Sequence, residues 1–229
     1  MIPRVKSGIP GLDEKIGGGI PNNSVILLYG PPKCGKTIFS MQFFNEGLKR
    51  EEPGLYVTSN CSVAQLKQSM LSFKISLANY EQKGFVFYVD LFSIRGGETK
   101  DSIFLKNIAP TATTNLMITL GDAYKFLCPK SIRIRTAFDS VDPLVESGGS
   151  VISRFLQTFI AKNKVAGSTT LITYTEGIAD KKLEVLFKSV VDGAIYMDGK
   201  GKMVVESMLG TPCPVNLKYK ITDKGIVVS

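Results

Sequence analysis

Eight consecutive residues carry the clearest chemistry in this sequence. Gly30-Pro31-Pro32-Lys33-Cys34-Gly35-Lys36-Thr37 fits the pattern G-x-x-x-x-G-K-[ST]. A loop of this kind turns its backbone N–H groups inward, and the helix that follows offers its unpaired N–H groups and positive dipole end to an anion. Gly30 and Gly35 let the backbone approach closely with no Cβ in the way. In this reading the cradle runs from Gly30 through Ile38, Lys36 neutralises the outer phosphates of a nucleotide, and the Thr37 hydroxyl ligates Mg²⁺.

Such a loop needs a strand on one side and a helix on the other. Val25-Ile26-Leu27-Leu28-Tyr29 is an apolar run with the character of a buried strand, and Thr37 to Lys49 carries Phe39 and Phe43 one helical turn apart. The same alternation continues. Strands are expected at Leu55–Ser59, Phe85–Asp90, Thr136–Asp139 and Thr169–Tyr174, and helices at Ser62–Phe73, Thr113–Leu127, Gly149–Lys164 and Ala179–Val190. Ser62 and Gln65 form a capping-box pattern at the first of those helices. Leu91 to Ala112 has no clear period and reads as an excursion or surface loop. Three short strands follow, near Gly193–Met197, Met203–Ser207 and Leu217–Ile221, with Ile226–Val228 as a candidate fourth. The expected fold is α/β: a mostly parallel central sheet, helices on both faces, and a β-rich antiparallel C-terminal edge, in one domain over residues 1–229.

In such a sheet ligands sit beyond the carboxyl ends of the strands. Asp139, ending Thr136-Ala137-Phe138-Asp139, is placed to orient Mg²⁺ and its water, or else to cap the next turn. The metal ligands on this reading are Thr37 and Asp139.

The composition narrows the function classes. Of 229 residues, 44% are hydrophobic and 21% charged, the make-up of a soluble globular chain. No apolar run is long enough for a membrane span, and Met1-Ile2-Pro3-Arg4 opens nothing like a signal peptide, so a cytoplasmic protein is expected. The sequence has no histidine, and its four cysteines (Cys34, Cys61, Cys128, Cys213) are widely spaced, which argues against structural zinc and a disulfide framework. The formal charge of +8 suits an anionic partner such as nucleic acid, or is a solvated basic surface.

Several segments together resemble a single-domain KaiC-like protein of the RecA superfamily. They are Ser7-Gly8-Ile9-Pro10-Gly11-Leu12-Asp13-Glu14, Gly17-Gly18-Gly19-Ile20-Pro21, the phosphate loop, Glu52-Pro53-Gly54-Leu55-Tyr56-Val57, Asp139-Ser140, Val191-Asp192-Gly193-Ala194-Ile195 and the ending Ile221 to Val228. The resemblance implies a RecA-type core that takes ATP (or ADP) with Mg²⁺. It also implies a tendency to assemble with its own copies, or with a protein partner or paralogue subunit.

The departures from the family pattern bear on activity. The positions where the family carries a pair of glutamates, one of them activating water, are Asn60 and Cys61 here, and neither is a general base at neutral pH. The family's Lys-Met-Arg-Gly segment, whose cations reach a neighbouring subunit's phosphate, reads Ser207-Met208-Leu209-Gly210. Losing base and cations together predicts very slow hydrolysis or none. Lys33 and Cys34 replace the Gly-Thr common in the family's loop, Lys33 adding a cation and Cys34 a thiol at a helix N-terminus. Redox control through the cysteines, or plain apolar packing, is compatible with those positions.

The leading expectation is therefore a nucleotide-binding regulator with weak or absent hydrolysis. Two alternatives stand beside it. One is an ATPase whose base comes from Glu176 or a partner subunit. The other is a recombinase-paralogue-like DNA-binding accessory, using the loop after Asp139 and the loop leading to Lys181 and Lys182.

Overall fold

A computed structural model describes residues 2–97, 101–147 and 149–229. Residues 98–100 of the Leu91–Ala112 stretch, and Gly148 in the segment after Asp139, lie outside the described residues.

The chain opens with β1 (Arg4–Val5), one helical turn α1 (Leu12–Lys15) and β2 (Ile20–Pro21), which pairs back on β1. Next come β3 (Val25–Gly30), α2 (Lys36–Lys49), β4 (Gly54–Thr58), α3 (Val63–Ser72), α4 (Ala78–Gln82), β5 (Val86–Asp90) and β6 (Leu105–Asn107). The middle of the chain supplies α5 (Thr113–Leu127), β7 (Ile134–Asp139), α6 (Asp142–Ser147), α7 (Gly149–Val165) and β8 (Ser168–Thr175). It closes with α8 (Lys181–Val190), β9 (Gly193–Met197), β10 (Lys202–Met208), β11 (Val215–Thr222) and β12 (Gly225–Val228).

Strands β3 to β12 make one ten-stranded sheet in the order β12-β11-β10-β9-β3-β8-β7-β4-β5-β6. Every pairing from β9 across to β6 is parallel, and β10, β11 and β12 are added antiparallel. This is the mostly parallel α/β sheet with an antiparallel C-terminal edge that the residue pattern implies.

The pleat explains why the central strands show no polar alternation. Val25, Leu27 and Tyr29 enter one core, with Leu116 and Leu120 of α5, Phe155 and Phe159 of α7, and Phe187 of α8. Ile26 and Leu28 point to the opposite face, where Phe39 and Phe43 of α2 cover them. With helices on both sides, each strand position is apolar whichever way it faces. Ser62 caps α3 reciprocally with Gln65, as the pattern implies.

Two expectations are corrected, and one element is added. Leu91–Ala112 is not a plain loop: it carries β6, which pairs in parallel with β5 and ends the sheet. The segment after Asp139 is not a loop either, since α6 starts at Asp142. The strand pair β1–β2, which clasps the glycine-rich opening, went unread because each strand is only two residues long.

The sheet order places the site. β3 and β4 are separated by β8 and β7, and the register aligns Gly30 with Thr175 and Thr58 with Asp139. The carboxyl ends of four strands therefore meet at one edge, where α2 begins. At the opposite end of β7 the guanidinium of Arg135 is fully buried. It donates from Nε to Glu52 Oε2 at 2.5 Å and from Nη1 to the Lys6 carbonyl at 2.8 Å, and it lies 4.6 Å from the ring centroid of Phe43.

Candidate functional site

The phosphate loop leaves β3 at Gly30, whose φ of 151° and close approach to the Met197 carbonyl (2.0 Å from where a Cβ would stand) admit no side chain. Lys33 holds a left-handed φ of 64°. A left-handed conformation costs a non-glycine residue roughly 1–2 kcal/mol. Cys34 is buried at 1% exposure, and its carbonyl accepts from the Tyr219 hydroxyl at 2.8 Å, which ties the loop to β11. α2 then opens from Gly35, and no side chain caps its first turn. Free N–H groups at that point are what an anion requires.

Lys36 is 8% exposed, and its ammonium donates to the carbonyls of Gly30 and Pro31, each at 2.8 Å. It is thus folded back over the loop, held by groups that a phosphate oxygen could replace. The adjacent cleft, of about 360 Å³, is lined by Pro32, Lys33, Gly35, Lys36, Thr37, Ile38 and the residues of three neighbouring strand ends. Gly30, Pro31 and Cys34 are not on its wall: they form the back of the loop.

Asp139 reaches the cleft from the end of β7. Its Oδ1 accepts from Thr173 Oγ1 at 2.7 Å and Thr37 Oγ1 at 3.3 Å, and its Oδ2 from the Tyr56 hydroxyl at 3.3 Å. Two of these donors, Tyr56 and Thr173, were not read from the sequence; both precede strand ends that only the sheet order brings to Asp139. The carboxyl is 4% exposed, and burial pushes its pKa above the ordinary aspartate range against the pull of the three hydroxyls, with nearby Asp142 adding to the rise. A hydroxyl and a carboxylate side by side are oxygen donors of the kind Mg²⁺ accepts.

The shift has a sign that can be measured. A carboxyl with a raised folded-state pKa stabilises the fold below the ordinary aspartate pKa, and that contribution is lost as pH rises through the folded value. We expect the wild-type protein to lose melting temperature relative to Asp139→Asn over that window in metal-free buffer, with the gap narrowing when Mg²⁺ is added. Melting curves of the pair across pH read this directly; a gap independent of pH would contradict it.

Position 60 faces the cleft and position 61 does not. Asn60 is on the wall, its Nδ2 donating to Ser140 Oγ at 3.2 Å. Cys61 turns back toward β4, with Sγ 3.6 Å from Thr58 Oγ1, and burial raises its thiol pKa. Glu176 is exposed and absent from the cleft wall; its carboxylate neighbours Tyr196 and Tyr29. Ser207 is exposed at the end of β10, and Leu209, in the turn beyond it, is 52% exposed. The carbonyls of Leu209 and Gly210 accept from Arg4. All four cysteines are free thiols.

The cleft holds a second acid that the sequence did not single out. Asp142 opens α6, is 8% exposed, and accepts at Oδ1 from the Thr175 backbone N–H at 2.9 Å. Its only local signal was its place three residues beyond Asp139.

A glycine loop between a buried strand and an uncapped helix, with an acid at the end of a neighbouring parallel strand, defines a P-loop nucleotide-site architecture. The family described as "ATPase: KaiC" matches residues 5–229. UPF0273 proteins are similar over the whole chain: one from Methanopyrus kandleri is 33% identical, covering 99% of this chain and 92% of its own length. One from Pyrococcus furiosus is 34% identical, covering 100% and 94%. The crystal structure of a KaiC-like protein from Pyrococcus horikoshii superposes with a TM-score of 0.77 at 26% identity, covering 100% of both chains. The chain belongs to the KaiC-like ATPase family.

Proposed function

We propose that this protein binds ATP with Mg²⁺ in the cleft at the carboxyl ends of β3, β7 and β8 and hydrolyses it very slowly, acting as a nucleotide-dependent regulator. Residues 1–229 then work as one nucleotide-binding domain, read by a protein partner or by further copies of the chain. In this reading the loop from Gly30 to Ile38 cradles the phosphates and Lys36 leaves its two carbonyls to pair with the outer ones. Thr37 and Asp139 would hold Mg²⁺, which neutralises phosphate charge when bound.

One observation carries the low activity: the cleft-facing position at the end of β4 presents the Asn60 amide, already engaged with Ser140 Oγ at 3.2 Å. An amide takes no proton from water. Cradling phosphate and activating water are separate parts of a P-loop site, so the first survives loss of the second.

A second reading, an ATPase with a base from elsewhere, is favoured by Asp142 rather than by Glu176, since Asp142 is the one whose carboxylate lines the cleft. Mass spectrometry of the nucleotide carried through purification separates these readings. Intact ATP supports a binder, ADP supports turnover, and an empty wild-type site would overturn both. Lys36→Ala is expected to weaken ATP binding by roughly 10- to 150-fold, the effect of losing a charged hydrogen bond of about 1.5–3 kcal/mol. Titration calorimetry on the two proteins measures it.

A further inference from the structure

The segment after Asp139 is the helix α6, and the one after Thr175 is a short turn to Asp180, which caps α8 through Leu183 N–H at 2.8 Å and leads to the exposed Lys181 and Lys182. A second cluster of positive charge lies elsewhere. On the antiparallel extension, Met203, Val205, Leu217 and Tyr219 point into the core. The alternating positions Lys202, Lys218 and Lys220, with Asn216 beside Lys218, are exposed.

Lys202 and Lys218 are register partners on β10 and β11. Like charges directly opposite each other in a sheet are destabilising. None of the three lysines has an ion-pair partner among the described residues. Guarding a sheet edge does not explain them either, because the edge strand is β12, and β10 and β11 lie inside it. Asp198, in the turn before β10, spends its carboxylate on the backbone N–H groups of Lys200 and Lys202 at 2.7 and 2.9 Å, and Glu206, farther along β10, is held by Lys188 at 3.0 Å and by the Tyr29 hydroxyl at 2.5 Å. Lys202 and Lys218, with Lys200 of the preceding turn, also line a surface cleft of about 540 Å³.

We propose that this face of β10 and β11 binds the phosphate backbone of double-stranded nucleic acid. Outward positions on one strand repeat at about 6.8 Å and neighbouring strands lie about 4.8 Å apart, so the three lysines start from a compact triangle that no ion pair among the described residues neutralises. A duplex carries one negative charge per about 1.7 Å of axis, which matches so dense a cluster and relieves its repulsion. Single strands are held largely by aromatic side chains stacking on bases. The one aromatic residue of β10 to β12, Tyr219, points inward to the phosphate loop. The contact therefore reads charge and shape, not base sequence.

Fluorescence anisotropy with a duplex of about 20 base pairs and with its single strand, at about 50 to 200 mM salt, tests this. Wild-type protein should bind the duplex more tightly than the single strand. The slope of log K against log salt should fall by roughly 3 in the Lys202→Ala, Lys218→Ala, Lys220→Ala variant, and by roughly 1 in Lys218→Ala alone. Lys181→Ala with Lys182→Ala should leave it unchanged. The triple variant should melt no lower than wild type, since a repulsive pair has gone, and should bind ATP as before. No duplex binding at the lowest salt, an unchanged slope in the lysine variants, or a preference for the single strand would each overturn the proposal.

Discussion

Asn60→Glu is expected to raise single-turnover ATP hydrolysis by about 10²–10⁴-fold, the range a positioned general base supplies. Position 60 lies on the wall of the cleft, together with Lys36, Thr37 and Asp139. On the proposed reading, a carboxylate there would stand beside the water that attacks the outer phosphate. The same change at position 61 should do nothing useful. Cys61 packs toward Thr58, and Asp139 and Asp90 both act on it electrostatically, so Cys61→Glu would bury a third negative charge beside them. Comparing Asn60→Glu, Cys61→Glu and the double variant in one assay separates the positions. Equal rates for wild type and Asn60→Glu would locate the block instead in the cations missing at Ser207 and Leu209.

Glu52→Ala should cost about 3–5 kcal/mol of stability, the usual result of stripping one partner from a buried ion pair. Arg135 has no exposed surface, and its Nη2 has no hydrogen-bond partner even with Glu52 present. The helix above has made room for it: a Cβ on Gly47 would stand 2.1 Å from Arg135 Cγ. Replacing both partners, with Arg135→Met and Glu52→Leu, should recover most of the loss, because no charge is then left unpaired. Chemical denaturation of the three proteins tests this. Since the pair sits at the far end of β7 from Asp139, the double variant should bind ATP as wild type does.

What could be read from the sequence had a local cause. The phosphate loop shows itself because its function fixes residue types within eight positions. α5 shows itself because Leu116, Leu120, Tyr124 and Leu127 repeat at helical spacing and all are buried. β6 escaped because its three residues are all half-buried and carry no alternation. α6 escaped because Asp142-Pro143 reads as a turn. The polar shell of Asp139 comes from Tyr56 and Thr173, 83 and 34 residues away in the chain, and only the strand order brings them together. Sequence could not tell Asn60 from Cys61 for the same kind of reason: which of two adjacent residues faces a cleft depends on how the backbone leaves its strand.

On the proposed reading, holding ATP and cleaving it are separate capacities of this site. The most direct test is a single-turnover measurement with γ-labelled ATP and Mg²⁺ on the wild-type chain alone. Bound ATP that hydrolyses no faster than about 10⁻³ s⁻¹, the scale of a P-loop site lacking its cation in trans, is the predicted result. Turnover at about 1 s⁻¹ or above, the range of a complete phosphoryl-transfer site, would contradict it.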